Sequence, residues 1–528
     1  MSRLLSPAVT LVFVALASPR ARAGEVPVAD VAGLVSAIQA AQAGDTIVLA
    51  PGTYEVHQSK IACAAAGTAD APIVVQAAEL GTVTIRFDAV EGFHVRGPHW
   101  EFANLDIEGI CANDSDCEHA FHVTGAAEHT WLHHNRMHGF NAMIKGNGEP
   151  IGPGDSFVWP DDVVIEYNEL YNPAPRDTSN PVTPIDIVGG QRWVLRGNFI
   201  HDHAKGGGDN VSYAAFLKGH SKDGLIERNL VVCELLHSGQ VRLGLSLGGG
   251  GTGPDSICED GACKPEHERG ILRNNLIVNC PADVGIYVNA GADSKIVNNT
   301  LFNTAGIDMR FAQTTGLVAN NLMNGKIRDR DGGSSMKMNN LSEVTLGDFG
   351  AWFVDAGAFD FTLKDGAALV DLGLALPEVT DDYCGNLRDD GTHDIGAIEY
   401  DGDGCVGGVP VEAGSGGGET TGGETAGETA GETGGPGQTS DVEGSTTSGE
   451  TGSSPTGGAS SPTSGANTTT EDSDGGALTS GQSSGSDGAT DSGAQNEDGG
   501  CGCRGASGSR PGAWLLGLML LGLRRRRG

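Results

Sequence analysis

An asparagine that closes a short apolar run recurs through the middle of this chain, and its spacing narrows the fold more than any other feature. The runs ending at Asn198, Asn229, Asn275, Asn299 and Asn321 are each followed by another short apolar stretch. Earlier copies end at Asn104, Asn135 and Asn168, and a later one at Asn340. From Asn275 onward the separations are 24, 22 and 19 residues; before it they are mostly 30 to 33. That is the length of one β-helix coil, in which short strands too brief to be stable alone stack on the coils before and after. A β-propeller blade needs four strands and about twice this period, so that alternative is rejected. The expected class is therefore all-β, a right-handed parallel β-helix. Asparagine suits the turns because it tolerates a left-handed backbone and its amide can hydrogen-bond to the amide one coil on. These asparagines are read as structural and left out of any site.

The two ends differ from this core. Arg3, the apolar run Leu11 to Ala17 and then Ala21-Arg22-Ala23 follow the pattern of a secretory signal peptide, so residues 1–23 are expected to be removed and the ordered domain to span 24–405. Residues 406–500 are Gly, Ser, Thr and acidic repeats almost without apolar side chains, which cannot offset chain entropy by burial; a disordered stalk is expected. Residues 501–528 hold Cys501-Gly502-Cys503, an apolar run Ala513 to Leu523 and the cluster Arg524 to Arg527. The run has eleven residues, against roughly twenty for a spanning helix. Its order resembles the myxobacterial C-terminal sorting signal, which implies an exported protein tethered to the cell envelope and displayed at the surface or secreted.

The formal net charge of −35 owes much to the stalk. It argues against nucleic acid as a partner and says little about a substrate. Nine cysteines precede the stalk, in a compartment that permits disulfides. Cys111 with Cys117 and Cys258 with Cys263 are spaced as loop staples, Cys384 lies within reach of Cys405, and an odd count leaves one thiol over. No paired Cys-x-x-Cys spacing for structural zinc occurs.

A β-helix needs covers at both ends. From Val31 to Ala43 apolar residues fall at helical spacing (Leu34, Ile38, Ala41), and Gly44 to Tyr54 reads turn, strand, turn. This resembles the N-terminal cap of the pectate-lyase-like superfamily, and Asp382 to Tyr400 resembles the closing segment of secreted β-helix proteins. The superfamily holds lyases, hydrolases, epimerases and adhesins, so the resemblance implies fold more than activity.

Insertions near residues 110–120, 145–160, 171–183, 203–212 and 250–268 are expected to wall a groove along the middle coils. Counting back eleven residues from each turn asparagine aligns Ile187, Lys218, Val288 and Arg310, which places Lys218 and Arg310 at equivalent positions on one sheet. Arg242 falls in the coil between them. Such cations suit a polymer of uronic acids: neutralising the carboxylate acidifies the C5 proton, which a lysine base can then remove. Lys218 followed by Arg242 resembles the arrangement in alginate and chondroitin lyases of β-helix fold. That resemblance implies Lys218 as base and Arg242 as its partner, with a calcium ion on the uronate; Arg310, by its count, and His220, by its place beside Lys218, are further catalytic candidates. The closely spaced acidic calcium ligands of that family are missing here; Asp202, Asp209 and Asn210 are the substitutes of suitable chemistry.

Histidines cluster at His119, His122, His129, His133, His134 and His138, and again at His201 and His203. In a strand His201 and His203 share a face, so both are expected to contact substrate in the groove, with Tyr287 stacking on sugar. Asp114, Asp116 and Glu118 form either a calcium loop or a disulfide-closed turn. The expected activity is lysis of an acidic polysaccharide by a monomer. The alternatives are a glycan-binding adhesin or a hydrolase, which needs two carboxylates about 5 to 10 Å apart, from Asp186, Asp202, Asp209 and Asp308.

Overall fold

Strands that follow one another in the chain join different sheets, and each pairs with the strand one coil away. The strand Val194–Arg196 pairs in parallel with Leu225–Glu227, which pairs in parallel with Ile271–Arg273. Repeated along the chain, this pairing builds one sheet of twelve strands and two of ten. The result is the expected right-handed parallel β-helix, the hand that crossovers between parallel strands adopt. The computed structural model describes residues 24–150, 157–389 and 391–400. The expected signal peptide, stalk and C-terminal apolar segment lie outside those residues, among which no helix is long and apolar enough to cross a membrane.

Alternation along each strand sends every second side chain inward. In the twelve-stranded sheet Leu132, Ile165, Leu195, Ile226, Leu272 and Ile296 face one another in register, coil upon coil, and all are buried. Each such side chain contributes roughly 1.5–3 kcal/mol, which is how strands of three residues persist.

The asparagine ladder exists, with one correction. Asn135, Asn168, Asn198, Asn229, Asn275, Asn299, Asn321 and Asn340 each pass an amide hydrogen bond to the next, at 2.9–3.1 Å. The left-handed residue is not the ladder asparagine but the one before it: His134, Tyr167, Arg228 and Asn274 have φ of 53–55°. Asn104 is such a left-handed residue, with φ 59°, and Leu105 takes the rung position beside it, donating its N–H to the Asn135 side chain.

The N-terminal cap is the helix Val31–Ala40. Asp30 caps it by accepting from the Gly33 N–H at 2.7 Å, and Leu34 and Ile38 pack onto the core. The far end differs from a simple plug. After the helix Leu346–Trp352 the chain turns back along the outside: Phe349, Phe353, Phe361, Tyr383 and Ile395 cover Phe199, Leu230, Val232, Leu276 and Val278. Those five are outward residues of one ten-stranded sheet, so the later strands of that face are closed to a ligand.

Disulfides Cys111–Cys117 and Cys258–Cys263 form as expected. Cys233–Cys280, 47 residues apart, was not apparent from spacing and ties two coils together. Cys63 is a buried free thiol; Cys384 is disulfide-bonded, and Cys405 lies outside the described residues.

Candidate functional site

Three outer faces are available, and two are occupied. One carries the C-terminal segment over its later strands and ion pairs, Arg86 with Glu108 and Arg136 with Glu169, over its earlier ones. On the twelve-stranded sheet Arg196 lies between Glu166 (3.0 Å) and Glu227 (2.6 Å), and Glu227 also meets Arg273 (2.6 Å), so that row satisfies itself with ion pairs. The remaining ten-stranded sheet is left. Insertions enter it from both edges: 110–118, 172–184, 202–210 and 233–240 before its strands, and 148–150 with 157–163, and 248–270, after them. These walls make its middle strands the floor of a trough.

Strand register places the floor residues. His94, His122, Lys145, Asp186 and Phe216 face one another in one row, which continues through Ser246 to Tyr287 and Asp308. Their neighbours Val123, Ile144, Ile187, Leu217 and Val288 point into the core. A second row, two residues along, carries Val188 opposite Lys218 and, further on, Asn289 opposite Arg310. Lys218 and Arg310 therefore do share a row, three strands or about 14 Å apart. The residues aligned with them are Val188 and Asn289, each one position beyond the Ile187 and Val288 expected by counting.

At the centre, Lys145 Nζ lies 3.0 Å from Asp186 Oδ1, an ion pair set off the hydrogen-bond line. Asp186 is only 5% exposed. Burial by itself raises its carboxyl, but Lys145 and Lys218 outweigh that and hold it below the usual range, so it stays ionised. Lys218 Nζ donates to the Gly251 carbonyl at 3.1 Å and sits 4.7 Å over the Phe216 ring. Arg310 bonds Asp331 at 2.5 Å and donates to the Tyr287 hydroxyl at 3.3 Å. Burial keeps that phenol above its ordinary value despite Arg310, so it holds its proton at neutral pH.

Several expected residues lie elsewhere. Arg242 is opposite Ser212, six residues before Lys218 on the neighbouring strand, or about 20 Å away. It is 1% exposed, and its guanidinium bonds the carbonyls of Cys233, His237 (3.0 Å) and Gly239 (2.9 Å), with Asp202 at 3.6 Å. It pins the 233–240 insertion and cannot share a sugar with Lys218. His203 is buried beneath that insertion, bonded to the Leu243 carbonyl at 3.0 Å; burial, then the charge of Arg242, pushes it down to about 3. His201 belongs to the other ten-stranded sheet and stacks on Tyr171 at 4.7 Å. Neither faces the trough. His220, at φ 63°, bonds the Pro265 carbonyl at 3.0 Å and anchors the longest insertion.

The calcium set does not assemble. Asp202 is buried and accepts from the N–H groups of Leu235, Leu236 and His237 at 3.0–3.2 Å and from His201 at 2.7 Å. Asp209 is exposed, bonded to Lys205 and to the Val211 N–H, and Asn210 is a left-handed turn residue. Asp114, Asp116 and Glu118 also diverge, toward Arg176, Asn113 and Asn180. That loop is a disulfide-closed turn stapled to the next insertion. The histidine cluster separates too: His122 is on the floor, His133 on the twelve-stranded sheet, and His138 on the covered one.

Sequence reasoning missed Lys145 as a floor residue, and Glu91 and His94 altogether. A lysine directly after the apolar run Ala142-Met143-Ile144 in a strand was the available signal for the first. Glu91, His94 and His122 bring one ligand atom each to within 4.8 Å of one another, and they are the group of described residues able to hold a metal ion.

Residues 28–146 match the family model of Chondroitinase B. The match takes in the N-terminal cap and the coils through Lys145 and stops before Asp186 and Lys218. Among solved structures, the chain is similar to the PL6 family alginate lyase AlyGC, at 14% identity and TM-score 0.32, over 60% of this chain and 51% of that one. It thus spans about half the length of AlyGC. It is also similar to a PL6 family polysaccharide lyase from Pseudopedobacter saltans (13% identity, TM-score 0.34, 61% of this chain and 94% of that one). A rhamnogalacturonan lyase gives 15% identity and TM-score 0.43 over 68% of this chain and 90% of that one. No curated protein sequence matches the chain.

Proposed function

We propose that the trough binds an acidic polysaccharide and cleaves it beside a uronate by β-elimination. The observation that carries this reading is a walled floor on which two cations from separate coils, Lys145 and Arg310, stand with an amine, Lys218, and a protonated phenol, Tyr287. Lys145 and Arg310 neutralise sugar carboxylates along the chain, which lowers the cost of a carbanion at C5. Lys218, in its neutral amine form, takes the C5 proton and becomes the ammonium; the electron pair forms the C4–C5 double bond as the C4–O4 bond breaks. Tyr287 gives its proton to the leaving O4 and is reprotonated from water. Lys218 and Tyr287 lie two strands and two residues apart, about 12 Å between Cα atoms, which two long side chains can close across one linkage. The family match over residues 28–146 supports the substrate class, and the disulfides support an exported protein working on an extracellular polymer.

A hydrolase is disfavoured. Asp186 and Asp308 are four strands apart in one row, about 19 Å, beyond the separation that either hydrolytic geometry uses. Asp308 is moreover held by Arg328 at 2.5 Å and Arg330 at 2.6 Å.

The test adds the purified protein to alginate, pectate and chondroitin and follows the ultraviolet absorbance of an unsaturated uronate. A rise that falls by about 100-fold or more in Lys218→Ala is expected, the scale of a lost general base. Polymer binding without any rise would replace this reading with a displayed glycan-binding module.

A further inference from the structure

At the N-terminal end of the floor, two histidines one coil apart stand in direct register. The rings of His94 and His122 stack at 5.0 Å with 12° between their planes. Both turn Nδ1 toward Glu91, at 3.0 Å from His122 to Oε1 and 3.7 Å from His94 to Oε2. The geometry points to a binding site for one divalent transition-metal ion, of the zinc and cobalt kind, held by Glu91, His94 and His122.

The hydrogen bonds on the far side of each ring support this independently of the distances. His122 Nε2 lies 2.6 Å from Asn147 Oδ1, and the Asn147 amide is oriented by its own donation to the Gly148 carbonyl at 2.9 Å. The oxygen therefore accepts and the His122 Nε2 carries the proton. His94 Nε2 lies 3.0 Å from Thr124 Oγ1, whose proton goes to Glu149 Oε1 at 2.8 Å. The Thr124 oxygen can only accept from the ring, so His94 also carries its proton on Nε2. His122 Nδ1 also lies within hydrogen-bond distance of Glu91 Oε1, so an ion entering there takes the place of the proton shared between them, and both rings then offer Nδ1 to it beside Glu91. An imidazole whose far nitrogen is held by a hydrogen-bond partner in this way is what metal sites use to orient their histidines.

Two imidazoles and one carboxylate suit zinc-like ions, whereas calcium takes six to eight oxygens. Three protein ligands leave further positions for water or a ligand in the trough. His119 stands alongside, but its Nδ1 is turned to the Ala142 carbonyl at 3.3 Å. One group competes with the ion: Lys60 Nζ lies 2.8 Å from Glu91 Oε2, on a side chain 47% exposed that can swing into solvent. The site is independent of the lyase reading, and the experiment reads metal, not activity.

The purified full-length protein is stripped with a chelator and titrated with Co²⁺, following ligand-field absorption and heat. One ion per chain is expected, with affinity lowered more than about 100-fold in Glu91→Gln and His122→Ala and by about 10–100-fold in Asn147→Ala, the range for an outer partner. Lys60→Met should bind more tightly than the native protein. Should His122→Ala fail to fold, the near-isosteric Glu91→Gln decides alone. Absence of binding, or binding unchanged by Glu91→Gln and His122→Ala, overturns the site and assigns any bound cobalt to other histidines.

Discussion

Replacing Asn229 by alanine should destabilise the β-helix by about 3–5 kcal/mol, a figure that follows from what its side chain satisfies. Its Nδ2 donates to the Leu195 carbonyl at 2.9 Å, to the Glu227 carbonyl at 3.0 Å and to Asn275 Oδ1 at 3.0 Å. Its Oδ1 accepts from the Asn198 backbone N–H at 2.9 Å and the Asn198 side chain at 3.0 Å. Some partners keep a second bond after truncation: the Asn198 amide still reaches the Ile165 carbonyl, and Asn275 Oδ1 still accepts the Asn229 N–H. The Asn198 N–H and the Leu195 carbonyl lose the bonds that Asn229 makes to them. A buried group stranded in this way costs about 1–3 kcal/mol, and the small cavity adds to it. Asn340, the last rung and only half-buried, accepts the same two bonds from Asn321 but stands where water can replace it. Asn340→Ala should therefore cost about 1 kcal/mol. Urea unfolding of the two variants beside the native protein measures both. Equal losses, or a loss below about 1 kcal/mol at Asn229, would refute the argument that the ladder satisfies the turns.

Three further outcomes are expected. In the elimination assay Tyr287→Phe should lower kcat by about 100-fold with KM little changed, as for loss of a proton donor acting in the transition state; unchanged kcat would remove Tyr287 from that role. Arg242→Ala should lower stability by about 3–5 kcal/mol, because it leaves three carbonyls without the guanidinium and removes the charge beside buried Asp202, and a variant of native stability but no activity would return Arg242 to the site. His203 and His267 are pushed by burial from 6.5 down to about 3, so the unfolded chain takes up their protons before the folded one does. Their contribution is whole above pH 6.5 and is lost as pH falls toward 3, a slope that calorimetric melting should show and that His267→Gln should flatten.

The repeat was legible because a ladder asparagine is a local necessity of each turn, so the fold could be read from its period. Register was less legible, and the reason is arithmetic. Lys218 and Arg310 each precede their rung asparagine by 11 residues, whereas Val188 and Asn289, which share their row, precede theirs by 10. A one-residue difference in turn length exchanges an outward position for an inward one. Counting from the asparagines therefore placed the inward Ile187 and Val288 in a row that holds outward residues. Arg242 failed for a related reason: Lys-then-Arg order along the chain does not fix where on the next strand the arginine falls, and the strand Val241–Leu247 begins seven residues before the level of Lys218.

The histidines show why the rest of the site was out of reach. A coil of about thirty residues crosses three sheets, so residues close in sequence separate while residues a coil apart meet. His122, His133 and His138 fall within 17 residues and lie on three different sheets; His94 and His122 are 28 apart and stack. Likewise Lys145 and Asp186 are 41 residues apart, across an insertion, yet form the ion pair at the centre of the floor. A candidate site in such a chain is therefore read from residues one coil apart at matched level. Local clusters of chemically suggestive side chains mislead, because the polar residues that a coil brings together in sequence are those its three faces hold apart.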